Sequence, residues 1–184
     1  MAGEADMRIF RLLAWAGAAM AAPAHCAVTG SSAIGFATES SVEVAADAAH
    51  VYALLITPGR WWSDAHSYSG DSANMTIDPR AGGCFCETIP SKDGPSGTIE
   101  HARILYAMPG QRLRFSGGFG PLQSEGVAGT LDIAITPAGK GVKVTMTYVV
   151  GGYLRAGPDK IAPLVDQVLG EQLAGLKRAA ESAR

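Results

Sequence analysis

"KIAPLVDQVLGEQLAGLKRA", residues 160–179, decides the fold. Ile161, Leu164, Val165, Val168, Leu169, Leu173 and Leu176 recur at helical spacing and form a continuous apolar stripe along one long helix. Pro163 is tolerated only in a first turn, so the helix begins just ahead of it. Gly170 and Gly175 weaken the helix but permit close approach to whatever the stripe packs on. A helix of this kind needs a partner layer with an apolar face, and the upstream chain supplies one.

From Asn74 to Val149 the period is two rather than 3.6. Predicted strands run over Met75 to Ile77, Gly83 to Ile89, Gly97 to Ala107, Arg112 to Gly117, Gly126 to Thr136 and Val142 to Val149. Their joints, "DPRAGG", "PSKDGPSG", "MPGQ" and "TPAGKG", are rich in turn formers. No helix interrupts them, so neighbours pair antiparallel. Ahead of them, Val42 and Val44 alternate with Ser41 and Glu43 in a strand over residues 35–45. In "ADAAHVYALLITP", Ala48, Val51, Tyr52 and Leu55 mark a short helix that Asp47 caps and Pro58 ends. "GRWWSDAHSYSG" then reads as a short helical turn or loop. The expected fold class is α+β: a curved antiparallel sheet of about seven strands around a long C-terminal helix, with two short helices after the first strand. Such a sheet often encloses a mostly apolar cavity against its helix.

The N-terminal part reads differently. In "MRIFRLLAWAGAAMAAPAHCA", residues 7–27, Arg8 and Arg11 precede an apolar run and then small residues. That is the layout of a secretory leader, expected to be cleaved after Ala24 or Ala27, with Met7 as an alternative start. The run, Leu12 to Ala22, is about half the ~20 residues a bilayer span needs, so no stable span is expected after cleavage. The expectation is an exported, periplasmic chain: signal peptide 1–27, linker 28–35 and one domain over 36–184. A formal charge of −2 with no Lys/Arg cluster argues against nucleic-acid binding. A nucleophile elbow, a P-loop, a zinc-protease pair and a dinucleotide fingerprint are all absent from the sequence, so no cofactor is expected.

The chain from about Phe36 resembles the START/polyketide-cyclase-like (SRPBCC) superfamily, the helix-grip fold. The resemblance is nearest to the branch related to the activator of the heat-shock-protein-90 ATPase. "VEVAADAAHVYALLITPGRWW", "DPRAGGCFCE", "ILYAMPGQRLRF" and "GVKVTMTYVVGGY" carry it, in that order. It implies a pocket for a small apolar or amphipathic molecule such as a lipid, polyketide or aromatic compound, with catalysis in only some members.

In "AGGCFCETIP", residues 81–90, the alternation sends Cys84 and Cys86 to one face and Phe85 and Glu87 to the other. The resemblance implies an inward Phe85. Two thiols are half a zinc site, a link between residues two apart on a strand is strained, and reduced strand residues are the expected reading. No metal site is expected. Glu87 is a catalytic candidate, with His101 as its partner. An even pairing sum, such as 87 opposite 101, puts both on the inner face. An odd sum sends His101 to the cysteine side, and Ala102, Ile104 and Tyr106 are rivals to His101 for the inner face unless a bulge intervenes. Trp61, Trp62, Tyr68, Phe85, Glu87, Tyr106, Phe115, Phe119 and Tyr148 are the candidate ligand-binding residues. "SGGFGPLQ", residues 116–123, is a candidate gate. These features point to a small-molecule binder. The alternatives are a cyclase-, dehydratase- or hydrolase-type enzyme using Glu87 with or without His101, and a protein-interaction domain of an envelope complex.

Overall fold

The computed structural model describes residues 25–182; the expected leader lies outside them, save its last three residues. Ten elements follow in order: β1 (His25–Ser32), β2 (Gly35–Val44), α1 (Ala48–Leu55), β3 (Met75–Ile77), β4 (Cys84–Ile89), β5 (Gly97–Met108), β6 (Arg112–Ser116), β7 (Gly126–Ala138), β8 (Gly141–Tyr153) and α2 (Pro158–Ser182). Short 3-10 turns at Pro58–Arg60, Asp64–His66, Ser72–Asn74 and Gly120–Ser124 complete the chain. The strands form one sheet in the order β1-β2-β8-β7-β6-β5-β4-β3, antiparallel throughout. Among the described residues no helix is long and apolar enough to cross a membrane.

The eighth strand is β1, which lies where the end of a leader and a linker were expected. Its side chains from Cys26 to Ser32 are exposed, so it carries no alternation to read. It is held by pairing with β2 from His25↔Ser41 to Ser32↔Gly35.

Asp47 caps α1 as expected: its carboxylate accepts the His50 N–H at 2.9 Å. Helix α2 packs mainly on β2 and β1 and touches α1. Its buried face is Ala162, Leu169, Gly170, Gln172, Leu173, Gly175, Leu176 and Ala180, so the stripe is rotated and Leu164 is 60% exposed. Small residues set that rotation. A Cβ on Gly170 would strike the Cys26 sulfur, and one on Gly175 the Trp61 carbonyl. The inner face of the sheet supplies Val42 and Val44 of β2, Leu131, Ile133 and Ile135 of β7, and Val144, Met146 and Tyr148 of β8 to the core.

Candidate functional site

The β4–β5 hairpin carries the chemistry, and one extra residue decides its layout. Glu87 pairs with Ile99 and Cys86 with Glu100, but Phe85 pairs with Ala102. His101 is therefore the additional residue of a bulge. Ahead of it the pairing sum is even, so His101 shares the inner face with Glu87. Beyond it the sum is odd, so Ala102 and Ile104 also turn inward. His101, Ala102 and Ile104 are all buried. The rivalry between them disappears because the strand is not regular.

A second bulge, between Ile104 and Tyr106 against β6, corrects one expectation. Ile104 faces Phe115 and Ala107 faces Leu113, which leaves both Leu105 and Tyr106 pointing outward. Tyr106 is 42% exposed and does not line the inner face.

Glu87 and His101 meet at 2.9 Å, His101 Nε2 to Glu87 Oε2, with both side chains buried. The same carboxylate accepts the backbone N–H of Tyr68 at 3.1 Å and of Ser69 at 2.6 Å. Burial pushes the Glu87 pKa up, but hydrogen bonds from Ser69, Tyr68 and His101 outweigh it and hold the carboxyl below its ordinary value. Burial lowers the His101 pKa, and Glu87 only partly offsets this. The pair is thus an ionised carboxylate receiving Nε2–H from a neutral imidazole. Its Nδ1 is the acceptor nitrogen of that tautomer, and among the described residues it has no hydrogen-bond partner.

Around this pair the predicted aromatics come together. Phe85 is central, with ring centroids 4.9 Å from His101, 5.4 Å from Trp62, 6.0 Å from Phe115 and 6.2 Å from Phe119. Phe119 in turn lies edge-on to Tyr148 at 5.5 Å and to Phe115 at 6.1 Å. Trp62 reaches the cluster and anchors its Nε1–H on the His66 carbonyl at 3.1 Å. Trp61 is buried beside it, its carbonyl against Gly175, and seals the base of the turn. Tyr68 stands over His101 at 5.8 Å and is half exposed.

Two loops meet over these rings. The Tyr68 hydroxyl donates to the Gly120 carbonyl at 2.9 Å, joining the segment after α1 to the 116–125 loop. Tyr148 holds the other side of that loop. Its hydroxyl donates to the Gly117 carbonyl at 2.8 Å and accepts the Phe119 N–H at 3.2 Å. Burial pushes its pKa up to about 12, so the phenol stays protonated. The sequence marks this loop as a gate and both tyrosines as ligand-binding candidates; that their hydroxyls hold the loop is seen only in the structure.

The aromatic rings pack on one another. Open clefts lie beside them: about 260 Å³ between β5 and the 116–123 loop, lined by His101, Ala102, Ser116, Gly117 and Leu122 among others, and about 520 Å³ between residues 59–65 and the end of α2.

Cys84 and Cys86 lie on the outer side of β4 as expected. They are joined in a disulfide, which corrects the expected reduced state. His101 faces the other way, toward Glu87.

No protein-family model and no curated protein matches the chain. Solved structures do. An uncharacterised protein from Rhizobium leguminosarum superposes with a TM-score of 0.55 at 20% identity, over 86% of this chain and 97% of that one. CalU16 from Micromonospora echinospora gives 0.51 at 14% identity, over 88% and 93%. The di-domain ARO/CYC StfQ from the steffimycin biosynthetic pathway gives 0.56 at 14% identity, over 81% of this chain and 50% of that chain. The architecture is helix-grip-like. At these identities the likeness speaks for the fold alone.

Proposed function

We propose that this chain binds a small apolar or amphipathic molecule on the inner face of its sheet, between the two loops that Tyr68 and Gly120 join. The carrying observation is Phe119. It is a large apolar side chain on a loop, lodged among Phe85, Phe115 and Tyr148 in the place an apolar ligand would occupy. Opening both the Tyr68–Gly120 contact and the Phe119 N–H bond to Tyr148 would lift Phe119 and expose the ring cluster, with His101 offering one polar contact beside it. One fold neighbour, the ARO/CYC protein StfQ from the steffimycin biosynthetic pathway, is compatible with a ligand-binding or cyclase-like fold.

Native mass spectrometry of the protein isolated from its own cells tests this. A co-purifying small molecule, lost or exchanged in Phe85→Ala, supports the reading. An empty wild-type chain that also gains no affinity for an apolar fluorophore on Phe119→Ala contradicts it.

The 2.9 Å Glu87–His101 contact favours a second reading, an enzyme of the cyclase, dehydratase or hydrolase type. His101 Nδ1 would be the general base, and Glu87 would hold the tautomer. Turnover that survives His101→Gln removes His101 as that base, and a wild-type chain that turns over no such substrate contradicts the reading.

Export to the periplasm is part of the proposal. The basic-then-apolar leader supports it, as does a disulfide, which persists in oxidising compartments. Cleavage after Ala24 would leave β1 whole, whereas cleavage after Ala27 would remove three of its pairings.

A further inference from the structure

The outer side of the β4–β5 hairpin carries chemistry of its own. The register sets Cys86 opposite Glu100 and Cys84 opposite Arg103. The bulge that turns His101 inward leaves Glu100 as the carboxylate beside the sulfurs. One Glu100 oxygen and both sulfurs lie within 4.8 Å of one another. Donors about 2.0–2.3 Å from a tetrahedral ion stand roughly 3.5 Å apart, so the two sulfurs, bonded to each other here, must part after reduction, while the Glu100 oxygen already lies within reach of both. The cysteines are partly exposed and their Cα atoms are 5.4 Å apart. Among the described residues the Glu100 carboxylate is bonded by Arg103, at 2.8 and 2.6 Å, in an exposed pair that opens at little cost, while the Glu100 carbonyl accepts from Gln123.

We propose that Cys84, Cys86 and Glu100 form a thiol-gated site for a soft divalent cation of the Zn²⁺ or Cd²⁺ class. The disulfide is the closed state. A dithiol reductant opens it: its thiolate attacks one cysteine sulfur, the Sγ–Sγ bond breaks, and the mixed disulfide resolves as the reductant closes its own disulfide. Two electrons reach the protein. Both cysteine sulfurs leave as thiolates, which take up two protons or, with the cation present, bind it instead. The guanidinium opposite Cys84 favours the thiolate. Two thiolates select a soft ion, Glu100 supplies the third ligand, and water or a small exogenous ligand completes the tetrahedron. Phe85 lies between the two cysteines and at the centre of the inner ring cluster, so the backbone that holds the cation also holds the ring.

The test uses the full chain, air-oxidised and after anaerobic reduction and removal of the reductant, titrated with Cd²⁺ alone. The readout is the ultraviolet sulfur-to-cadmium charge-transfer absorption. The oxidised chain should expose one reactive thiol, Cys26, and show no band. The reduced chain should bind one Cd²⁺. Cys84→Ser and Cys86→Ser should each lose that binding, and Cys26→Ser should keep it. Replacing outer-shell partners costs about 10–100-fold in affinity, so Glu100→Gln, which removes a direct ligand, should weaken binding at least about ten-fold. Reduced and oxidised wild type share one sequence, so a misfolded variant cannot produce that contrast. Three free thiols in the oxidised chain, no band on reduction, loss of the fold on reduction, or a Glu100→Gln affinity equal to wild type would each overturn the site.

Discussion

The two faces of the β4–β5 hairpin are built from adjacent residues and behave in opposite ways. Inward, Glu87 and His101 are buried, bonded to each other and tied to the Tyr68–Ser69 backbone. Outward, Cys86 and Glu100 stand one residue away from them, both partly open to solvent. Burial makes the inner carboxylate costly to disturb, because every donor it satisfies would be orphaned. The outer Glu100–Arg103 pair can exchange with water at little cost. The hairpin thus separates a fixed polar anchor from labile sulfur chemistry by the thickness of a strand, and the bulge at His101 draws the line.

That contrast is open to attack from several sides, the inner face first. Phe85→Ala removes the central ring of the cluster and should cost about 3–5 kcal/mol in chemical denaturation, the range for truncating a core aromatic. Glu87→Ala leaves two backbone N–H groups and an imidazole without their acceptor, and should cost about 3 kcal/mol. Glu87→Gln keeps an acceptor and should cost less. Equal losses for the two would show that packing, not hydrogen bonding, holds Glu87.

Acid supplies a third test. The folded imidazole resists protonation, whereas the unfolded one protonates below its ordinary 6.5. Stability is therefore complete above that pH and falls as pH drops below it, by up to about 1.4 kcal/mol per pH unit. The depressed Glu87 pKa adds to the loss below its ordinary 4.5, because the unfolded carboxylate protonates first. His101→Gln, which can still donate to Glu87, should flatten the thermal-denaturation profile between pH 7 and 5.

The outer face should respond weakly. The Cys84–Cys86 link closes a very short loop and so constrains the unfolded chain little; Cys84→Ser together with Cys86→Ser should cost no more than about 1–2 kcal/mol. Tyr106→Ala should fall within about 0.5 kcal/mol of wild type, as surface substitutions do. A core-sized loss there would return Tyr106 to the interior.

Period and turn chemistry made most of the fold legible. Asp47 at the cap, the breaks at Pro58 and the glycine-rich joints, and the two-residue alternation from Met75 onward all mark boundaries seen in the structure. What escaped has definite causes. Strand β1 is exposed along the described part of its length, so hydrophobic alternation cannot reveal it. Leu164 fits the helical stripe by spacing, but small residues at 170 and 175 set the contact face and rotate it to solvent. Both bulges in β5 arise from pairing with neighbouring strands, which a single strand's letters do not contain. The inward pair Glu87–His101 was visible only as one of two registers, and Tyr106 was misplaced because the second bulge inverts the pattern after Ile104.

The arrangement of Glu87 and His101 is the claim on which the site depends, and the His101 imidazole can be observed directly. Nitrogen-detected proton NMR of the folded chain across pH reads both its tautomer and its titration. The account predicts a single Nε2–H tautomer at neutral pH and a proton uptake displaced below the ordinary histidine range, both altered in Glu87→Gln. An imidazole that exchanges between tautomers and titrates near 6.5, indifferent to Glu87, would contradict it.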